Sequence, residues 1–165
     1  MDDSRRQRGS TVSEDSTQVC ADASIIVKLL VPEDDSSLAV TLWRQWGEAD
    51  ATVWTPGNLA LEVLNGVRRA ALCGLITWEE ASAATDRLAA LPVATMPVHE
   101  LRPNELWGGF VVRFDGLVTP YDAAYLLVAE HHNCEFWTAD DSLVRTVADE
   151  LPWVHSLSEI VNEQT

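Results

Sequence analysis

Short apolar runs alternate along this chain with longer stretches of helical periodicity, and that alternation constrains the fold more than any other feature. Val19–Ala21 reads as a buried strand ending at Asp22, and Ile25–Val31 as an apolar helix stopped by Pro32. Glu33–Ser37 supplies a helix start, and Leu38–Trp46 runs helical to Gly47. Ala51–Trp54 is a second strand. Thr55-Pro56 then reads as N-cap and first-turn proline of a helix reaching about Cys73. Thr77-Trp78-Glu79-Glu80 has the spacing of a capping box and opens a helix to about Leu91. Val93–Val98, interrupted by Pro97, is a short strand, and residues 100–114 around Gly108-Gly109 form an irregular helical region. Thr119-Pro120-Tyr121-Asp122 opens a helix to about His132. Cys134–Trp137 is a strand, Thr138–Glu150 a helix and Trp153–His155 a last strand. Strands separated by helices imply a parallel sheet covered on both faces. The expected architecture is α/β, with a short parallel central sheet in a single domain.

Length and composition agree. A chain of 165 residues suits one domain, and 47% apolar content is incompatible with a wholly disordered acidic protein. The longest charge-free apolar runs, Leu106–Val112 and Ala123–Ala129, fall far short of the roughly 18 residues of a membrane span. Eleven Lys+Arg against 26 Asp+Glu give a formal charge of −15, which excludes a broad electrostatic grip on duplex DNA. Residues 1–17 contain only Met1 and Val12 as apolar side chains and are expected to form a mobile tail. The folded domain is then 18–160, with 161–165 as the C-terminal end. No apolar core of a signal peptide follows the N-terminus. Cys20, Cys73 and Cys134 fit neither a disulfide framework nor a zinc spacing, so they read as packed, reduced thiols of a cytoplasmic protein.

Four acidic residues stand where packing alone would not put them. Asp22 ends the first strand, and in open α/β sheets the carboxyl ends of strands form the ligand crevice. A helix cap explains it equally well. On a wheel of about 100° per residue with Leu59 at zero, Val63, Gly66 and Ala70 fall within about 40°. Glu62 lies only about 60° away, so it borders the core-facing stripe, with Asn58, Asn65 and Arg69 on its polar flank. A Glu–Arg pair is the bland alternative. Asp122 fits a capping box with Thr119, yet the helix it opens is apolar on nearly every side, which draws its N-terminus inward. Thr138-x-x-Asp141 also has capping-box spacing; this assigns Asp141 to capping and leaves Asp140 free to face a site.

If these carboxylates converge, each pair about 5 Å apart repels by roughly 3 kcal/mol at an effective dielectric near 20. Such a cluster binds cations or raises its pKa values. An all-oxygen donor set suits Mg²⁺ or Mn²⁺, and two such ions can activate water and stabilise the leaving oxygen of a phosphate ester.

The segments Val19–Leu30, Pro56–Val67, Pro120–Glu130 and Thr138–Leu143 together resemble PIN-domain proteins, and more narrowly the VapC-type toxins of bacterial type II toxin–antitoxin systems. The likeness covers about residues 19–160. It implies a metal-dependent endoribonuclease held inactive by a VapB-type antitoxin, with Asp22, Glu62, Asp122 and Asp140 as the acidic quartet that holds Mg²⁺ or Mn²⁺. Asp141 is an extra acid at a variable position. Ser24, Asn65 and Thr138 match polar neighbours of the quartet. The resemblance also implies a homodimer, for which Leu61 and Leu64 offer an apolar surface.

Outside the tail the basic residues are few. Arg69 shares the stripe of Glu62 and Arg145 lies on the helix after Asp140, so either can meet an RNA phosphate, although surface acids outnumber them. Trp43, Trp54, Trp137 and Trp153 lie in strand and helix patterns and read as core, not as base-stacking platforms. Of two other classes, the first stays open and the second fits poorly. A PIN-like module that binds an antitoxin or RNA without cutting fits the same acids. An aspartyl phosphatase would need an acid where Ser24 stands, and a phosphoacceptor receiver a late lysine, whereas the only lysine is Lys28.

Overall fold

The computed structural model describes residues 17–164, so the expected tail over residues 1–17 lies, but for Thr17, outside the described residues. Five strands, β1 (Gln18–Ala21), β2 (Thr52–Pro56), β3 (Ala94–Met96), β4 (Glu135–Thr138) and β5 (Val154–Ser156), form one parallel sheet in the order β3-β2-β1-β4-β5. The helices among the described residues are α1 (Ala23–Leu30), α2 (Ser36–Glu48), α3 (Leu59–Leu72), α4 (Trp78–Ala90), α5 (Pro103–Leu106), α6 (Pro120–His131) and α7 (Asp141–Val147). The chain is therefore a single α/β domain with an all-parallel sheet. None of these helices is long and apolar enough to cross a membrane.

β1 sits at the centre because Val19, Cys20 and Ala21 are apolar in succession, the pattern of a strand buried on both faces. From β1 the chain builds outward through β2 and β3, then returns across the sheet to β4 and β5. The order reverses at β1 and β4, which opens a crevice beyond their carboxyl ends. On one face α1 packs against α2, α3 and α4; on the other α6 lies across β1, β2 and β4, with α5 and a wide helical turn, Trp107–Val112, over it. That sandwiching explains why α6 is apolar all round: Ala123, Ala124, Tyr125, Leu126, Val128 and Ala129 are all buried. At Gly66 a Cβ would lie 2.6 Å from Val27 Cγ2, so the glycine lets α3 close on α1 and brings Glu62 toward the end of β1.

Three local expectations need correction. Thr55 and Pro56 do not open a helix; they end β2, paired with Thr95 and Met96 of β3, and α3 starts at Leu59 after Asn58. The parallel partner strand captures a segment whose local chemistry alone favours a helix start. After β4 the helix start shifts in the same direction, from Thr138 to Asp141, with Asp140 as its cap. Of the cysteines, Cys20 is buried and Cys134 partly buried, but Cys73 is exposed at the end of α3. The four tryptophans assigned to the core pack against it.

Candidate active site

Beyond the ends of β1 and β4 lies a cavity of about 1030 Å³. Asp22, Glu62, Asp122, Asp140 and Asp141 all line it, together with Ser24, Asn65 and Arg69. Thr138 is buried behind it, and Arg145, in the last turn of α7, does not reach its wall.

Asp22 occupies the cap position of α1, and its backbone amide continues the ladder to Trp137 O at 3.0 Å. Its carboxylate makes no cap bond. Instead Oδ2 accepts from Ser24 Oγ at 2.5 Å and from Thr138 Oγ1 at 2.7 Å. Those hydroxyls are in turn fixed by the chain after β4: Ser24 Oγ accepts from Ala139 N and Thr138 Oγ1 from Asp140 N, each at 3.0 Å. Burial raises the Asp22 pKa; the two hydroxyl donors oppose the rise and the charge of Asp122 adds to it.

Glu62 does not pair with an arginine. Its Oε1 accepts from Asn58 Nδ2 at 2.7 Å and from Tyr125 OH at 3.0 Å. Burial pushes its pKa up to about 7, against the Tyr125 hydrogen bond and with help from the charges of Asp22 and Asp122. Burial and the charges of Asp22 and Glu62 raise the Tyr125 phenol, which stays a neutral donor.

Asp122 and Asp140 are held by helix ends. Asp122 Oδ2 accepts from Thr119 N at 3.1 Å and Thr119 Oγ1 at 2.6 Å, while Thr119 Oγ1 accepts from Asp122 N at 3.2 Å, a complete capping box. At α7 the sequence-based division is reversed. Asp140 is the cap, with Oδ1 accepting from Ser142 N at 2.8 Å and Leu143 N at 3.1 Å. Asp141 does not cap; it accepts from Ser156 Oγ at the end of β5 and from Ser158 Oγ at 3.4 Å. The reason is that Thr138 ends β4 and its hydroxyl already serves Asp22 and the Asp140 amide, so it cannot cap. Asp140 still lines the cavity while capping.

Of two further side chains with roles here, Asn58 stands on the polar flank of Glu62 in the sequence but without an assigned role, and Tyr125 is not singled out there at all. The signals were an Asn four residues before Glu62 and a hydroxyl on one aromatic of an otherwise apolar helix. A buried Tyr hydroxyl usually finds a partner.

The wall is strongly negative. Lys28 lines it but is engaged by Glu33 at 2.9 Å and Asp35 at 3.7 Å. Arg69 lines it and makes no ion pair among the described residues. The five acids offer carboxylate oxygens, which fit hard divalent cations such as Mg²⁺ or Mn²⁺. Mutual charge effects among Asp22, Glu62 and Asp122 in a single cavity are what such an ion would relieve. Among the described residues no three His, Cys, Asp or Glu groups already sit close enough to enclose an ion.

The family model for the PIN domain matches residues 19–149. No curated protein matches the sequence at a significant level. PIN domains are generally nucleases and typically use divalent metal ions.

Proposed function

Because the chain belongs to the PIN domain family, we propose that it is a Mg²⁺- or Mn²⁺-dependent endoribonuclease that hydrolyses RNA phosphodiester bonds, the VapC-type toxin of a type II toxin–antitoxin pair. The observation that carries this reading is the single cavity at the sheet's reversal point lined by Asp22, Glu62, Asp122 and Asp140, with Glu62 raised to about 7 by burial and its acidic neighbours. These four would hold the ions, and Asp141 is near enough on the wall to assist. Bound there, divalent ions supply water activation and stabilisation of the leaving oxygen of the scissile ester. The chain's own residues do the rest. Ser24 and Thr138 orient Asp22, helix ends fix Asp122 and Asp140, and among the described residues Arg69 is the one lining cation free to meet a phosphate. Asn65, one turn beyond Leu61 on the same wall, offers the substrate a neutral amide.

A VapB-type antitoxin would close the cavity with a basic segment. The negative wall and the net charge of −15 favour such a segment, and Leu61 and Leu75 on the same wall offer it apolar contact. Leu61, 72% exposed, and Leu64, 39% exposed, also suit pairing of two copies through α3. The proposed setting is cytoplasmic.

The test is cleavage of structured RNA by the purified chain with Mn²⁺ or Mg²⁺, read by mapping the new RNA ends. Asp122→Asn is expected to abolish cleavage while the protein remains folded. No cleavage by the unmodified chain with either ion, or equal cleavage by Asp122→Asn, sinks the proposal.

A further inference from the structure

Asn58 is used in an unusual way. It stands immediately before α3, where an Asn side chain ordinarily accepts from free backbone amides, yet it makes no capping bond. Its backbone, at φ −88° and ψ −1°, is outside the extended conformation of a cap. Its Oδ1 is buried without a hydrogen-bond partner among the described residues, which is costly, while Nδ2 donates to Glu62 Oε1 at 2.7 Å. Turning the amide over would set its oxygen against the carboxylate, so Glu62 dictates the orientation.

Tyr125 meets the same oxygen from the other side. It is 1% exposed, its ring lies 5.9 Å from that of Phe136, and a Phe would fill the same space without burying a hydroxyl. That hydroxyl reaches Glu62 Oε1 at 3.0 Å, across 63 residues of sequence. Both donors therefore converge on Oε1, and among the described residues none donates to Oε2.

We infer that Asn58 and Tyr125 are positioning residues that brace Glu62 through Oε1, so that it presents one oxygen to a cation and the site favours a small octahedral ion over Ca²⁺. This rests on the nuclease reading above, in which Glu62 is a ligand. Ca²⁺ takes roughly six to eight oxygens and often both oxygens of one carboxylate, whereas Mg²⁺ demands compact octahedral coordination. A carboxylate pinned by one oxygen serves the smaller ion and starves the larger.

The experiment titrates the full chain, Tyr125→Phe and Asn58→Ala with Mn²⁺ and, separately, with Ca²⁺ by calorimetry. Thermal unfolding checks each fold, and RNA cleavage is measured alongside. Each variant is expected to weaken Mn²⁺ binding about tenfold, the lower end of what loss of a supporting hydrogen bond to a ligand does. Ca²⁺ binding should hold or tighten, so the preference for Mn²⁺ collapses. Loss of both ions by the same factor, or of neither, overturns the brace. If Tyr125→Phe fails to fold, Asn58→Ala decides alone. A chain that binds Mn²⁺ and cleaves RNA, with an ion preference the variants do not move, overturns the brace and leaves the nuclease reading standing. A chain that binds neither ion overturns both.

Discussion

Asp22 and Glu62 share a cavity with Asp122 and Asp140, but the two pairs are held in opposite ways. The first pair is gripped by side chains, two hydroxyls on Asp22 and an amide and a phenol on Glu62. The second pair sits on helix N-termini and accepts backbone amides. Helix ends welcome negative charge with or without a cation. Burial penalises it, and both members of the first pair have raised pKa values with burial as the largest cause. One pair therefore serves the fold and the site together, while the other strains the fold for the sake of the site. Removing a carboxylate from each should have the same effect on cleavage and opposite effects on stability.

The largest expected effect is common to both pairs. Asp22→Asn should lower metal-dependent RNA cleavage by about a thousandfold, since the ion it helps hold is worth several kcal/mol and each tenfold is about 1.4 kcal/mol. Single-turnover cleavage of a defined RNA measures this, and a loss under tenfold removes Asp22 from the ligand set.

The sign of the stability change separates the pairs. With no divalent ion added, Glu62 releases its proton near pH 7 in the folded chain, well above the ordinary value of 4.5. The folded state then binds the proton more tightly than the unfolded state, so the stabilisation present below pH 4.5 is lost as pH rises through about 7. Glu62→Gln should therefore be more stable than the unmodified chain at pH 8, by up to about 1–2 kcal/mol once solvent screening of this partly exposed group is allowed for, with little difference at pH 4.5. Urea unfolding at the two pH values checks it; a destabilised Glu62→Gln at pH 8 would remove the contrast.

Asp140→Ala should move the other way, losing about 1 kcal/mol at both pH values through its lost cap on α7. The same urea series reads this, and a neutral result would mean that the α7 end contributes nothing to global stability. Smallest is Asp122→Asn. An amide oxygen can still accept from Thr119, so only the charge at the start of α6 is lost, worth about 0.3–1 kcal/mol. A change above about 2 kcal/mol would show that Asp122 does more for the fold than cap α6.

Much of this was legible in the sequence because it follows from local pattern. The alternation of apolar runs and helical stretches located all five strands, and acids at strand ends located the cavity. What was illegible depends on pairing across the sheet. Thr55-Pro56 carries the chemistry of a helix start but is drawn into β2 by its register with β3. Thr138 carries the chemistry of a cap, but its hydroxyl is taken by Asp22, 116 residues away, so the cap moves to Asp140 and frees Asp141 toward Ser156. Tyr125 lay hidden in an apolar helix whose ring positions look alike until the hydroxyl meets Glu62. Arg145 looked suited to the cavity by its place after Asp140, yet it falls in the last turn of α7, away from the wall.

The hydroxyl clamp on Asp22 also sets the order in which activity arises during synthesis. Asp22 and Ser24 leave the ribosome first, and Thr138, Ala139 and Asp140, which complete the clamp, follow 114 to 116 residues later. At about 5–20 residues per second, that is a delay of roughly 6–23 s. A nascent chain can form β1, β2 and β3 with the helices between them and still have an unclamped Asp22. The clamp is complete only once Thr138 and Ala139 are in place, and fragments ending before β4 should be inert however well they fold.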